Sequence, residues 1–308
     1  MKVFITGATG ILGKRVTQSL AKLNYEVIGL ARSQKNVEQL THMGAEPRAG
    51  DLFKPQQLQE ITADCNAILH LATKIPANAT PKEKDWEMNN RIRTEGTQNL
   101  IKAAETNGID TFIQQSIIFM YGHQHGANIY SHTPLPENCT AAMLPNVQME
   151  ELLTQHPTLS YIILRFGFFY SADSIQTQGM LDGCRNGKFP IIGKGDNYWN
   201  MIHADDAASA VVHALQNAPK LARTTFNITD FSPVRYSDLI KAMAKATGGK
   251  TPKQIPTWLA RLFIRKSMLD FLMNDYKIQP APDFGDWKPS YASFEEGLKA
   301  VLAKRGTI

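Results

Sequence analysis

The sequence contains few cysteines, and none of them is grouped as in a metal or redox site. Cys65, Cys139 and Cys184 are the three in 308 residues, and no pair has the CxxC spacing that zinc and dithiol centres use. No apolar stretch is long enough for a membrane-spanning helix. Met1 to Gly7 run directly into an apolar segment and a glycine turn, which leaves no room for a secretory signal. We therefore expect reduced thiols, no metal, no membrane span and a cytoplasmic location.

Dense runs of one charge are also missing. The 33 Lys and Arg exceed the 28 Asp and Glu for a net charge of +5, but no basic run of the kind that binds nucleic acid occurs. We expect no nucleic-acid partner, and a small anionic ligand fits the excess as well. An apolar fraction of 43% is enough for a normal core in a chain of this length.

The first half of the chain alternates between β-rich runs and amphipathic stretches, which is typical of βαβ units and a parallel sheet. We predict a Rossmann-type α/β fold with a doubly wound parallel sheet. Predicted strands are Lys2–Thr6, Glu26–Ala31, Ala67–Leu71, Thr111–Gln115 and Ser160–Phe166, and predicted helices are Gly13–Leu23, Asn36–Met43, about 90–106, Val147–Thr154 and Asp205–Gln216.

After Phe166 the alternation loosens, with loops over Gly179–Asn200 and two predicted helices, Ser237–Thr247 and Trp258–Asn274. We predict a nucleotide-binding domain at 1–166 and about 201–228, and a smaller C-terminal α/β substrate lobe at about 167–200 and 229–308. The lobe would close over the carboxyl edge of the sheet, where such folds bind ligands.

The start of the second tail helix, Trp258 to Lys266, mixes apolar and basic residues. We interpret it as a helix that lies over the lobe or at a dimer seam, with its cations pointing outward, rather than as a membrane surface. A lid over the substrate pocket is the alternative, and it favours an apolar or aromatic substrate. The chain is expected to be a monomer or a homodimer.

The sharpest motif is Thr6-Gly7-Ala8-Thr9-Gly10-Ile11-Leu12-Gly13, between the first strand and the first helix. Gly7 allows the tight turn, Gly10 lets the backbone approach a pyrophosphate, and Gly13 permits close helix–strand packing. The helix N-terminus supplies amides and a positive dipole. These residues predict a dinucleotide site.

The end of the second strand lacks the carboxylate that would hold the ribose diol of NAD, because Arg32-Ser33 follows Ala31. A guanidinium can hold a 2′-phosphate bidentately, so we predict NADP as the cofactor, with NAD as the alternative. Lys35 could assist. The competing interpretation places Arg32 on the surface without a ligand.

Together with later segments, the glycine turn resembles the short-chain dehydrogenase/reductase superfamily, in particular its extended and atypical members, which include epimerases, dehydratases and ketone reductases. The resemblance covers nearly the whole chain. The other segments that carry it are Gly50-Asp51-Leu52, His70-Leu71-Ala72-Thr73, Gly96-Thr97-Gln98-Asn99-Leu100, Arg165-Phe166-Gly167-Phe168-Phe169-Tyr170 and Ile202-His203-Ala204-Asp205-Asp206-Ala207-Ala208.

The resemblance implies that Asp51 contacts adenine beside Leu52, and that Leu71, Ala72 and Thr73 pass beside the adenosine ribose. From the residues alone, Asp51 is equally compatible with a turn. Later in the chain, we expect Asp205 and Asp206 to cap the following helix, and His203 to bind neighbouring backbone.

The chain departs from the family at the Tyr and the Lys four residues later that carry the proton transfer. If Glu150 or Glu151 is matched to the family's Glu, the Tyr position falls on Ala142 or Met143 and the Lys position on Asn146 or Val147. Without a lysine, a phenol stays near its ordinary pKa of about 10. Standard chemistry is therefore not expected.

The remaining catalytic candidates follow the fifth strand. Ser116 resembles the family's catalytic serine, although it lies one residue further from Tyr121, and we predict that it orients a carbonyl while Tyr121 donates a proton. Tyr121 as a pocket wall is the alternative. Tyr130, His123 and His125 are further candidates, and the two histidines are equally compatible with a solvated loop.

Three functions fit these observations. The first is an NADP-dependent reductase of a carbonyl or related small molecule with non-standard catalytic residues. The second is a non-catalytic NADP-binding sensor, which the missing Tyr and Lys would permit. The third, a nucleotide-sugar epimerase or dehydratase, depends on fold analogy alone.

Overall fold

The computed structural model describes residues 1–76, 81–137, 140 and 142–305. Their strands are β1 Lys2–Thr6, β2 Glu26–Ala31, β3 Glu46–Ala49, β4 Ala67–His70, β5 Thr111–Ile117, β6 Asn128–Ile129, β7 Ser160–Phe166, β8 Phe168–Tyr170, β9 Ile191–Ile192, β10 Tyr198–Trp199, β11 Met201–His203, β12 Thr224–Ile228, β13 Val234–Arg235, β14 Gln254–Ile255 and β15 Lys277–Ile278.

The long strands form one seven-stranded sheet in the order β12-β7-β5-β4-β1-β2-β3, and every neighbouring pair is parallel. The strand order reverses between β1 and β4, so the carboxyl end of β1 lies at the topological switch point where ligands of such sheets bind. The predicted Rossmann-type fold is confirmed.

The helices are α1 Ile11–Lys22, α2 Gln34–His42, α3 Pro55–Thr62, α4 Glu87–Arg91, α5 Thr97–Asn107, α6 Leu144–Thr154, α7 Ile175–Arg185, α8 Ala204–Gln216, α9 Ala218–Leu221, α10 Tyr236–Ala246, α11 Thr257–Ala260, α12 Lys266–Met273 and α13 Phe294–Arg305. A π-helical turn, Ile92–Gly96, joins α4 to α5.

Alternate residues of the strands feed cores on the two faces of the sheet. Val3 and Ile5 pack with α1 and α8 on one face, whereas Phe4 packs with α3, α5 and α6 on the other. A third cluster joins β8, α7, α10 and α13, all within the segments predicted for the smaller lobe. The boundaries of that lobe stay a prediction.

The prediction of loops over Gly179–Asn200 was wrong at its start, because α7 spans Ile175–Arg185. Because glycine lowers helix propensity, Gly179 and Gly183 favoured the prediction of a loop over that of a helix. Gly183 has a packing reason to be there: a Cβ on it would lie 2.1 Å from the Phe189 ring.

The single helix predicted over Trp258–Asn274 was also wrong. The chain forms two short helices, α11 and α12, and Arg265 between them is extended. Ala260 and Leu269 bury into one small cluster with Ile192. In a continuous helix these two residues would be about 13 Å apart along the axis, so the chain must turn back between them.

Capping of α8 by aspartates was a wrong expectation as well, because α8 begins at Ala204 and both aspartates lie inside its first turn. The cap is His203, whose Nδ1 accepts from the Asp205 amide at 3.2 Å, as expected for a histidine that binds neighbouring backbone. Asp205 pairs instead with Arg15, and Asp206 accepts from the Ser290 amide at 2.8 Å.

Candidate functional site

The glycine turn stands directly at the carboxyl end of β1 and is sterically specified. Gly7 has φ of +71°, and a Cβ on it would lie 2.6 Å from Ala72 Cα, in the segment after β4. A Cβ on Gly13 would lie 2.0 Å from the Gly7 carbonyl oxygen. Two neighbouring backbones and the first turn of α1 therefore meet at distances that only glycine allows.

The N-terminus of α1 is open to a ligand. Gly10 is the N-cap residue, it is exposed, and no side chain caps the helix. The first turn, which contains Ile11 and Leu12, has no acidic residue. Free amides and the positive end of a helix dipole are the features that attract a phosphate group, and the absence of a Cβ at Gly10 leaves room for one.

Thr6 serves the scaffold of this site. Its hydroxyl is buried and lies 2.6 Å from His70 Nδ1, across the β1–β4 pair. Burial lowers the pKa of His70 to about 3, so the ring is neutral. The ring's Nε2 faces the Ile92 carbonyl at 3.3 Å and must donate to it, so Nδ1 accepts from Thr6.

The end of β2 places Arg32 in solvent, where it has no hydrogen bond or ion pair with the described residues. Ser33 caps α2 by accepting from the Asn36 amide at 3.3 Å. The Asn36 side chain donates to Thr9 Oγ1 at 3.3 Å and so ties α2 to the glycine turn. Sequence reasoning missed Asn36, although a polar residue three positions after a Ser cap is the available signal.

The segments after β3 and β4 border the same edge of the sheet. Asp51 accepts from the Phe53 amide at 3.0 Å, the geometry of an Asx turn, and the same carboxylate could still accept from an adenine amine. Leu52 and Leu71 are buried, whereas Thr73 is partly exposed. The roles of these residues in cofactor binding stay predictions, and the structure brings Leu71 and Ala72 against Gly7.

The catalytic candidates lie in a buried polar cluster between β5, α6 and β7, called the Glu150 cluster here and made of Ser116, Tyr121, Glu150 and Arg165. Ser116 donates to Glu150 Oε1 at 2.6 Å. Arg165 pairs with the same carboxylate, with an Nη2 to Oε2 distance of 2.6 Å. Its other terminal nitrogen donates to the Tyr121 oxygen at 2.6 Å. All four side chains are buried.

Tyr121 is held on both sides of its hydroxyl. It receives the Arg165 hydrogen bond, and the nearest acceptor for its own proton is Asn227 Oδ1 at 3.0 Å. Burial raises the pKa of the phenol, while Arg165 acts in the opposite direction. The phenol is therefore protonated at neutral pH. The carbonyl of Tyr130 lies 3.2 Å from the same hydroxyl and covers it.

Helix α6 carries both glutamates from which the family's Tyr and Lys positions are counted. Glu150 is buried and Glu151 is exposed. The absence of the family's Tyr and Lys stays a prediction, with the Lys position on Asn146 or Val147. Asn146 is 4% exposed, and its Oδ1 has no hydrogen-bond partner among the described residues. An amide here can accept or donate a hydrogen bond but carries no charge.

The other candidates lie at the surface. His123 and His125 are exposed and stack on each other with ring centroids 4.5 Å apart, which agrees with the solvated-loop interpretation. Tyr130 is 40% exposed and stacks on His132. None of the three contacts the Glu150 cluster through its own side-chain polar atoms. Cys139 lies outside the described residues, and Cys65 and Cys184 are buried free thiols.

The parallel sheet, its switch point and the open glycine turn define a dinucleotide-binding α/β protein. The chain belongs to the NAD dependent epimerase/dehydratase family, whose family model matches residues 3–229. This confirms the resemblance to the extended short-chain dehydrogenases/reductases, and a nicotinamide dinucleotide is the cofactor class of the site.

Two relatives that match over nearly the full chain are named as reductases. The 3-diazoavenalumate denitrifying reductase of a Streptomyces species is 24% identical and the match covers 97% of this chain and 99% of that protein. The 2-alkyl-3-oxoalkanoate reductase of Stenotrophomonas maltophilia (strain K279a) is 25% identical, with 98% and 99% covered.

Solved structures show the same fold. The human epimerase family protein SDR39U1, crystallised with NADPH, has a TM-score of 0.79 at 19% identity, covering 98% of this chain and 99% of that one. UDP-glucose 4-epimerase of Thermotoga maritima has a TM-score of 0.76 at 21% identity, covering 100% and 99%. Within the described residues, no helix is long and apolar enough to cross a membrane.

Proposed function

We propose that the protein is an NADP-dependent reductase of a carbonyl or related small molecule, with a non-standard proton donor. The observation that carries the proposal is the open α1 N-terminus at the switch point, together with Arg32, which follows the neighbouring strand β2 and has no partner among the described residues. The names of the full-length relatives point to reduction of an oxo or diazo compound. Cytoplasmic location remains part of the proposal, and the raised pKa values of the buried Cys65 and Cys184 thiols make both unreactive there.

The preference for NADP depends on Arg32. Because this guanidinium is exposed and has no partner in the described chain, it is available to bind a 2′-phosphate bidentately. Asn36 and Ser33 hold the start of α2 and thereby fix the backbone next to it. The bound nicotinamide supplies a hydride.

Tyr121 is the proposed donor of the proton that the substrate takes up during reduction. Arg165 donates a hydrogen bond to the phenol oxygen and can stabilise the phenolate that remains after proton donation. In the family, the lysine stabilises that phenolate. Asn146, one of the two predicted lysine positions, offers only hydrogen bonds. Because Tyr130 and Ser131 carbonyls cover the hydroxyl, a substrate reaches it only after this segment moves, which predicts slow turnover.

The cofactor proposal is tested by calorimetric titration of wild type and Arg32→Ala with NADPH and NADH. Loss of two charge-assisted hydrogen bonds should weaken NADPH binding roughly 10- to 100-fold and leave NADH binding unchanged. Arg185→Ala, which removes an exposed arginine at the end of α7, is the matched control. Equal weakening of both cofactors, or no effect, would contradict the assignment of NADP.

The proton donor is tested by Tyr121→Phe against Tyr130→Phe, because both remove one phenol from the same region. A screen of 3-oxo acids and other carbonyls at the nicotinamide absorbance first identifies a substrate of the wild type. We expect Tyr121→Phe to lower kcat by about 100-fold or more and to leave NADPH affinity unchanged. Tyr130→Phe should change kcat little. A shift in Tm with normal kcat would assign Tyr121 a structural role.

A specific observation favours a second candidate function. Ser116 and Tyr121 are both fully buried, and both hydroxyls are already engaged within the chain. A protein that binds NADP without turning it over needs no hydroxyl free to reach a substrate, so this arrangement is compatible with such a function. NADPH binding that depends on Arg32, together with no oxidation across the carbonyl screen, would support the sensor over the reductase.

A further inference from the structure

The segment 239–269 carries a charge imbalance that the overall composition conceals. It contains seven cations, namely Lys241, Lys245, Lys250, Lys253, Arg261, Arg265 and Lys266, and no Asp or Glu. The remaining chain has 33 − 7 = 26 Lys and Arg against 28 Asp and Glu, so its net charge is −2. All seven cations are exposed. The whole positive excess of the protein therefore lies on one segment of the chain, in which Lys241 pairs with Asp238 just before it.

Three large apolar side chains are exposed in the same stretch. Trp258, Leu262 and Phe263 are 65%, 70% and 80% exposed. Among the described residues, these are three of the four most exposed large apolar side chains, and Ile175 at 71% is the fourth. Water-exposed side chains of this size within six residues are unusual unless something covers them.

These side chains stand on an ordered support. Ala260 is fully buried and packs with Ile192 and Leu269, and the Ile264 amide donates to the Ala260 carbonyl at 2.9 Å. The buried side of α11 is thus anchored, while Trp258 on α11 and Leu262 and Phe263 in the turn after it are exposed. We call these exposed side chains, with Arg261, Arg265 and Lys266, the α11 patch. It differs from a helix packed over the lobe, one of the two placements expected from the sequence, because its large apolar side chains are exposed.

We propose that the α11 patch docks the protein onto the surface of an anionic lipid bilayer. An indole and two apolar side chains flanked by cations match the two layers of such a surface: acyl chains and glycerol for the apolar tips, phosphates for the cations. The charge argues against the self-association expected at a dimer seam, since two copies would bring six cations together. The proposal does not depend on the reductase activity.

The patch also contacts a residue from an earlier part of the chain. The Arg265 guanidinium faces the Pro81 carbonyl at 3.5 Å, in the part of the chain that follows β4. β4 itself ends at His70, beside the glycine turn. Docking would therefore bring the segment around Pro81 toward the lipid.

The proposal is tested by co-sedimentation of the full chain with vesicles of phosphatidylcholine alone, or with about one third phosphatidylglycerol. We expect binding to the anionic vesicles only, reduced by high salt. Trp258→Ser/Leu262→Ser/Phe263→Ser and Arg261→Gln/Arg265→Gln/Lys266→Gln should each reduce it by about tenfold or more. Ile175→Ser and Lys220→Gln/Lys288→Gln/Lys299→Gln, exposed residues elsewhere, are matched controls and should bind as wild type.

NADPH titration and Tm of each variant confirm that it is folded. A blue shift of tryptophan fluorescence with anionic vesicles should disappear in Trp258→Phe while sedimentation persists. Absence of sedimentation, equal binding to both vesicle types, or equal losses in the control variants would overturn the proposal. Dimers in light scattering that the triple Ser variant dissolves, without vesicle binding, would assign the patch to a second copy instead.

Discussion

The glycine turn and the Glu150 cluster lie near the carboxyl ends of strands in the same sheet, yet they are built in opposite ways. The glycine turn works through its backbone: it is open, uncharged and defined by contacts that exclude a Cβ. The Glu150 cluster works through side chains that are buried and bound to each other.

The difference indicates which functions this chain keeps. A cofactor cradle made of backbone depends on a few glycines and on the strand order, and all of these are present. Proton transfer depends on specific side chains, and the prediction from the sequence is that the family's Tyr and Lys are missing here, whichever of Glu150 and Glu151 is matched. Binding of the nucleotide and chemistry on the substrate can therefore be separated by mutation.

The largest loss of stability is expected where a buried charged side chain loses the oppositely charged partner that binds it. Glu150→Gln leaves Arg165 charged and 7% exposed with only Tyr121 and neutral oxygens around it. We expect the free energy of unfolding to fall by about 3–5 kcal/mol. Urea titration measures it, and Glu151→Gln, the exposed neighbour in the same helix, should change stability by less than about 0.5 kcal/mol.

If the two glutamates gave the same loss, the Glu150 cluster would not be a cooperative buried unit. NADPH affinity of Glu150→Gln sharpens the comparison further, because the glycine turn does not touch this cluster. We expect that affinity to remain near the wild-type value at temperatures where the variant is folded.

A smaller loss of stability is expected when a methyl group is added inside the glycine turn. Gly13→Ala places a methyl group 2.0 Å from the Gly7 carbonyl oxygen, so α1 must shift away from the turn. We expect a loss of about 1–3 kcal/mol in stability and a larger relative loss in NADPH affinity. Gly179→Ala is the matched control, because Gly179 is also helical and its Cβ would meet nothing within 4 Å.

That control should raise stability by about 0.5–1 kcal/mol, since alanine costs less backbone entropy in a helix. Calorimetric titration and thermal unfolding of both variants provide the measurement. Normal NADPH binding by Gly13→Ala would show that the turn tolerates a displacement of α1 and is not the cradle.

The sequence predicted those parts of the protein that depend on local pattern. β1, β2 and β7 have the predicted bounds, because buried parallel strands are apolar on both faces and end at clear turn residues. The glycine turn was predicted for the same reason: strand, turn and helix follow each other within a few residues.

Long-range contacts between side chains were beyond such patterns. Glu150 and Arg165 lie on different elements, and nothing near either residue indicates the other as partner. Ser116 was predicted to face a substrate, but the structure shows that its hydroxyl binds Glu150. The break between α11 and α12 likewise depends on a contact of Ala260 and Leu269 with Ile192, a residue from another segment.

A third effect, which depends on pH, concerns a buried carboxylate without a cation, which is the counterpart of Glu150. Asp230 is 4% exposed, its Oδ1 accepts from the Ser232 amide at 3.0 Å, and its Oδ2 has no partner among the described residues. Burial, with Glu295 and Asp206 adding to it, raises the pKa of Asp230 to about 8. The unfolded chain releases this proton near pH 4, so stability should fall as the pH rises from about 4 to about 8.

Asp230→Asn removes this titration, so the variant should gain stability relative to the wild type as the pH rises from 5 to 9. Each unit of pKa shift that exists in solution corresponds to about 1.4 kcal/mol of that gain. Urea unfolding across this range measures it, with the exposed Asp283→Asn as control. Parallel stability profiles of Asp230→Asn and wild type would mean that Asp230 is ionised in the folded protein. Asp230 and Glu150 would then both be charged, although only Glu150 has a cation beside it.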